Sequence, residues 1–344
     1  MYLRQFKVTL TALSPVHIGS GEVINNGGSI FDQRTGKLYY LNLQKLVSAL
    51  KKANKLGEYE KFILSGNPNQ RQFLESNNIE WKALCNSPII VNMEIGTRFN
   101  KMHTFAKDVY GNPYIPGSSL KGAFRTIMLC CGLRGTGLKS MLPRPRLNRL
   151  KKPPQAKEIE TKFLAERMRA YRFSDSKPIP KDSLTVCQKI DQSVAGLTKG
   201  LPTFRECLKP DTKVELKLTV DTRLLGEETT NFADNFTEML GDYNKIYWDT
   251  FREHFPYVKQ PEESASIYLG GGTGFITKTM LIGLLKDDHE RVKYISDYLH
   301  SAFPFKHRHD RDVTHGVSPH TIKLAKFNGE MFEMGKCRVE LAEV

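Results

Sequence analysis

GNPYIPGSSLKGAFRT, residues 111–126, decides how the rest of the chain is read. Asn112-Pro113 closes a turn, Tyr114-Ile115 is a short extended piece, and Pro116-Gly117 makes a second turn. Ser118 or Ser119 then offers a helix cap, and the helix carries Leu120, Phe124, Ile127 and Met128 on one side. Gly122 falls in the first turns, where it costs about 1 kcal/mol against Ala. Such a cost suggests that something approaches the backbone there. Lys121 and Arg125, four apart, share a face beside helix N-terminal amides that favour anions. A phosphate at this point would receive backbone donors, a serine hydroxyl and two cations.

The chain around this stretch has 344 residues, enough for two domains of ordinary size. Forty per cent apolar and 26 per cent charged residues place it among folded proteins rather than disordered ones. No apolar run is long enough to span a bilayer, and MYLRQFKVTLTALSPVHIG reads as an alternating strand rather than a signal peptide. The expected location is the cytoplasm, with no membrane partner. Fifty-one basic against 37 acidic residues give a net charge of +14, which attracts polyanions and favours nucleic acid. Six cysteines show no CxxC pair, so free thiols are expected instead of a disulfide framework, zinc ribbon or cluster.

Outward from residues 111–126, both halves mix short strands with one or two helices. Strands are expected near residues 6–12, 29–31, 38–41, 87–94, 214–220, 267–269 and 336–341. Helices are expected from Asn42, over 57–76, to about Cys131, over 158–172, over 231–255 and over 287–303. Two regions interrupt the pattern. Residues 139–157 hold seven Lys or Arg and four Pro with no acid, and residues 173–204 read as extended and rich in Lys, Pro and Ser. The expected fold class is α+β, a helix-covered antiparallel sheet in each of two units, 1–204 and 205–344.

Three stretches suit polyanion binding. The first is the helix start with Ser118, Ser119, Lys121, Gly122 and Arg125. The second is the basic run with Arg144, Arg146, Arg149, Lys151 and Lys152, able to clamp a sugar-phosphate chain without reading bases. The third is GGGTG, Gly270, Gly271, Gly272, Thr273 and Gly274, whose successive amides lie open to a phosphate or another backbone. It lacks the Gly-Lys-Ser/Thr ending of a P-loop and the GxGxxG spacing of a dinucleotide site. Catalysis is poorly supported. His17 reads as a packed turn histidine, and Asp32 as a hairpin-turn aspartate. His307, His309, Asp310, Asp312 and His315 read as a charged loop, with metal ligation the alternative, since HExxH spacing is absent.

SPVHIGSGE at 14–22, GNPYIPGSSLKGAFRT at 111–126 and GGGTGF at 270–275 resemble the signatures of the RAMP superfamily of CRISPR systems. Their order, the chain length and the ending PHTIKLAKFNGEMFEMGKCRVEL resemble the fifth Csm-type subunits of the type III-A RNA-guided interference complex. The resemblance implies two ferredoxin-like (RRM-like) domains with long basic and glycine-rich insertions. It also implies a non-catalytic role: capping the 3′ side of the backbone filament, holding the CRISPR RNA and abutting the repeated backbone subunit and the rest of the complex. Maturation of the RNA 3′ end would involve recruited host exonucleases. The shared motifs, where the resemblance implies RNA contact, map onto Ser14 to Gly21, including His17, Gly19, Ser20 and Gly21, onto Pro116 to Gly122, and onto Gly270 to Gly274. No cofactor or metal is implied. The alternatives are a metal-dependent ribonuclease acting on the guide precursor, and an assembly subunit without RNA contact.

Overall fold

A computed structural model describes residues 2–25, 27–66, 69–94, 99, 101–142, 157–164, 167–225, 231–258, 265–303 and 308–344. The chain opens with β1 (Leu3–Ala12), β2 (Gly19–Asn25) and the hairpin β3 (Ser29–Asp32) and β4 (Lys37–Tyr40). Three helices follow, α1 (Leu43–Lys52), α2 (Leu56–Leu64) and α3 (Gln70–Ser76), then β5 (Ile89–Asn92) and β6 (Lys101–Phe105). Next come α4 (Gly117–Gly132), α5 (Lys157–Leu164), α6 (Arg167–Ala170) and β7 (Tyr171–Phe173). The long strands β8 (Leu184–Ser193), β9 (Thr198–Leu208) and β10 (Lys213–Asp221) lead to α7 (Phe232–Thr250) and β11 (Ser266–Tyr268). The chain ends with α8 (Leu281–Leu284), α9 (Asp288–Ala302), α10 (Asp312–His315), β12 (Thr321–Phe327), β13 (Glu330–Glu333) and β14 (Lys336–Glu343).

The strands form an α+β fold with two sheets. The first runs β11-β14-β1-β10-β7. Alternation in β1 sends Phe6, Val8 and Leu10 to one face, opposite Leu218, Leu216 and Val214. Helices α4 and α7 cover that face: Phe124 stacks on Phe236 at 5.2 Å and meets Tyr171 edge-on at 4.8 Å. The second sheet runs β2-β6-β9-β8-β5-β4-β3, with the β12-β13 hairpin paired to the far part of β8. One of its faces buries Leu38, Val91, Met102, Val186 and Phe204. Helices α1 to α3 pack Leu46, Leu50 and Leu74 against the β3-β4 hairpin.

Several local expectations need correction. Residues 184–193 and 198–204, read as part of an irregular region, belong to β8 and β9, and Lys199, Gly200 and Pro202 mask the alternation at the start of β9. The compositional division at 204/205 falls inside β9, and strands from both halves share each sheet. The first helical residue of α4 is Gly117, with Pro116 at the cap position, so neither Ser118 nor Ser119 caps it; the Asp175 carboxylate accepts from the Gly117 amide at 2.8 Å. All six cysteines are free thiols. Among the described residues no helix is long and apolar enough to cross a membrane.

Candidate nucleic-acid interface

Two of the three shared motifs, 14–22 and 270–275, meet. Residues 14–18 leave β1 and turn beneath the glycine loop that follows β11, and the Gly271 amide donates to the His17 carbonyl at 2.7 Å. Gly270 has φ +81°, and a Cβ there would sit 2.1 Å from that carbonyl oxygen. Only glycine allows this crossing. Lys336 donates its amide to the Ser14 hydroxyl at 2.7 Å, and Gly335 donates to the Pro15 carbonyl at 2.9 Å, which closes the junction from β14.

His17 is the keystone of this junction and no cation. Its ring is buried, and its Nδ1 lies 2.6 Å from the Glu206 carbonyl. Burial drives its pKa down to about 4, helped by Arg205, His103 and Lys278, against the pull of the Glu206 hydrogen bond. The imidazole is therefore neutral near pH 7. Gly19, Ser20 and Gly21 continue into the irregular start of β2, where the Ser20 hydroxyl meets that of Thr104 at 2.5 Å. Ser20 and Gly21 are exposed there.

The glycine loop lies on a cationic sheet face. Register pairs His103 of β6 with Arg205 of β9, opposite in facing to the apolar Met102 and Phe204. A Cβ on Gly272 would reach the Arg205 guanidinium carbon at 3.4 Å, and one on Gly274 would reach the Lys323 stem at 3.4 Å. Lys278 ends the turn directly after the loop. Lys189 of β8 and Lys323 of β12 share Asp191, at 3.9 and 2.8 Å.

These groups repel one another. Burial and Arg205 lower the Lys278 ammonium. Burial lowers Lys189, which Lys323 and Arg205 depress further against the pull of Asp191. Arg205 is lowered by burial, and its Nη1 is enclosed with no hydrogen-bond partner among the described residues. Burial, Arg205 and Lys101 lower His103. A surface on which Arg205 depresses Lys278, Lys189 and His103 gains from a bound anion. The sequence reading missed Lys101, His103, Lys189, Arg205, Lys278 and Lys323. The usable signal was parity along β9, where Thr203, Arg205 and Cys207 alternate with Phe204, Glu206 and Leu208.

The 111–126 stretch sits elsewhere. The first amide of α4 is taken by Asp175, Lys121 donates to the Tyr171 carbonyl at 2.8 Å, and Arg125 pairs with Glu160 at 2.6 Å. Gly122 faces open space; Gly117 is the close-approach glycine, where a Cβ would fall 2.3 Å from the Phe173 carbonyl oxygen. Apart from Glu160 of α5, these partners belong to β7 and its flanks, at one edge of the first sheet, whereas the glycine loop follows β11 at the other edge. Four strand spacings put the two edges about 19 Å apart. Arg144, Arg146, Arg149, Lys151 and Lys152 lie outside the described residues, as does His307. Asp32 holds its hairpin turn, accepting from the Arg34 amide and the Thr35 hydroxyl with Arg71 beside it.

A family profile described as the RAMP superfamily matches residues 9–277. A protein of Streptococcus thermophilus named CRISPR system Cms protein Csm5 is 31% identical over 317 residues, 84% of this chain and 85% of the relative. The protein of the same name from Mycobacterium tuberculosis is 28% identical over 380 residues, 99% and 98% of the two chains. Among solved structures, a chain of a type III-A Csm-crRNA-target RNA ternary complex matches with TM-score 0.65 and 20% identity, covering 97% of this chain and all of that one. The crystal structure of T. onnurineus Csm5 matches with TM-score 0.62 and 18% identity over 96% and 99%. At those identities the structures speak for the fold alone.

Proposed function

The chain belongs to the RAMP superfamily and, within it, to the Csm5 family, and on that premise we propose that it is a CRISPR RNA-binding subunit of a type III-A Csm complex. The observation that carries the reading is the glycine loop 270–274 laid over Arg205 and flanked by Lys278 and Lys323. A glycine loop beside mutually repelling cations suits a sugar-phosphate chain. They grip without reading bases, as a guide of changing sequence requires. The name borne by the relatives supports this partner.

Within that function we assign the subunit the 3′ side of the guide, beside the repeated backbone subunit, where it supports assembly and 3′-end maturation by recruited exonucleases. The two sheets with their helices are read as a ferredoxin-like pair, with units 1–204 and 205–344 interleaved. Lys121 and Arg125 hold internal partners, so they act on RNA only by exchanging them and rank below the loop cations. The basic run 139–157 supplies further charge. The experiment is guide-RNA retention by the assembled complex carrying Arg205→Ala with Lys278→Ala, against Lys121→Ala with Arg125→Ala, over a salt series. The reading fails if a folded Arg205/Lys278 variant retains guide as the parent does.

A further inference from the structure

We propose that His309, Asp312 and His320 form a zinc(II) site that fastens the connection between α9 and β12. The three residues converge from different places: His309 precedes α10, Asp312 opens it, and His320 stands just before β12. One donor atom from each lies within 4.8 Å of the others. His309 Nδ1 is 2.9 Å from one Asp312 oxygen, and His320 Nδ1 contacts the other. A tetrahedral zinc with bonds of about 2.0–2.1 Å holds its ligand atoms about 3.3 Å apart, so small side-chain movements admit it.

Charge favours the ion. Asp312 is 0% exposed and His309 is 6% exposed. Among the described residues no Lys or Arg reaches within 4 Å of this carboxylate; its ion-pair partners are the two imidazoles. A buried carboxylate without a Lys or Arg partner is the situation that pairing or metal coordination relieves. Two nitrogens and one carboxylate oxygen suit zinc rather than magnesium or calcium.

The surroundings fix the ligands. Ser318 donates to an Asp312 oxygen at 2.6 Å, and Ser296 of α9 donates to the His309 carbonyl at 2.6 Å. Such outer contacts orient metal ligands. Three protein ligands leave a fourth position, and the His315 ring lies 6.0 Å from that of His320. The ion is structural: α10 has four residues, too few to hold itself. Zinc would tie it to the entry of β12, the strand that presents Lys323.

The test uses the full chain without a histidine tag. Metal content is measured after dialysis, followed by cobalt(II) reconstitution of the chelated protein and a thermal melt with and without zinc. About one zinc per chain, tetrahedral cobalt absorption and a lower melting temperature on chelation are expected. His320→Gln, at a partly exposed position, should bind at least tenfold more weakly, while the exposed His289→Gln should bind as the parent does. Asp312→Asn should behave as His320→Gln does if it folds. A folded parent that takes up neither zinc nor cobalt in stoichiometric amount overturns the proposal, and so does His320→Gln binding as tightly as the parent.

Discussion

The Gly271 amide donates to the His17 carbonyl at 2.7 Å, joining two sequence motifs more than 250 positions apart into one crossing. The glycine loop is thereby fixed over Arg205, and its neighbour Gly270 has no room for a side chain.

Gly270→Ala forces a Cβ to 2.1 Å from the His17 oxygen at φ +81°, and should cost about 3 kcal/mol. Gly122→Ala meets open space inside α4, and should stabilise by about 0.5–1 kcal/mol. Urea unfolding of both variants measures the difference. Equal stabilities would remove the crossing as a constraint.

His17 links the junction to pH. Its folded pKa of about 4 lies below the ordinary value of 6.5, so the unfolded chain binds the extra proton. Its contribution is complete above pH 6.5 and is lost as pH falls towards 4, about 3 kcal/mol over that interval. Unfolding titrations of parent and His17→Gln should diverge in slope within this window. Parallel curves would place the imidazole's ordinary pKa back in the folded state.

Glu206 is fully buried, accepting from Lys107 at 2.9 and 3.0 Å, the Tyr40 hydroxyl at 2.7 Å and the Phe105 amide at 2.8 Å. Lys107→Ala leaves that carboxylate without its cation and should cost about 2 kcal/mol. Lys107→Ala combined with Glu206→Gln should cost less than the two single changes added. A double-mutant cycle in chemical denaturation reads the coupling, and strict additivity would contradict it.

The cation pairs separate in a salt series. Removing Arg205 and Lys278 should weaken guide retention at low salt and flatten log affinity against log salt by about 0.7 for each phosphate no longer neutralised. Removing Lys121 and Arg125 should change the slope less, because both hold internal partners. Filter binding of two unrelated guides checks both points, and the reverse ranking would move the site to α4.

Much of the fold is legible in the chain. Asn42 caps α1 through the Lys45 amide as its side chain suggests, and the alternation in β1, β10 and β14 reads directly as sheet. The glycine loop is recognisable from composition. Its floor is not, because Arg205 and His103 lie more than 100 positions apart and become neighbours only through the parallel pairing of β6 with β9. The same limit applies at α4. A helix start with two cations looks like an anion site until the fold brings Asp175 and Glu160 to it. His320 gives no signal for a similar reason, standing apart from the His/Asp run that it joins in space.

The most direct measurement is ultraviolet crosslinking of guide RNA within the assembled complex, with the crosslinked peptides of this subunit identified by mass spectrometry. The account predicts adducts on residues 270–278 and on the strands bearing Arg205 and Lys323. Adducts confined to other surfaces, with those peptides recovered unmodified, would contradict it.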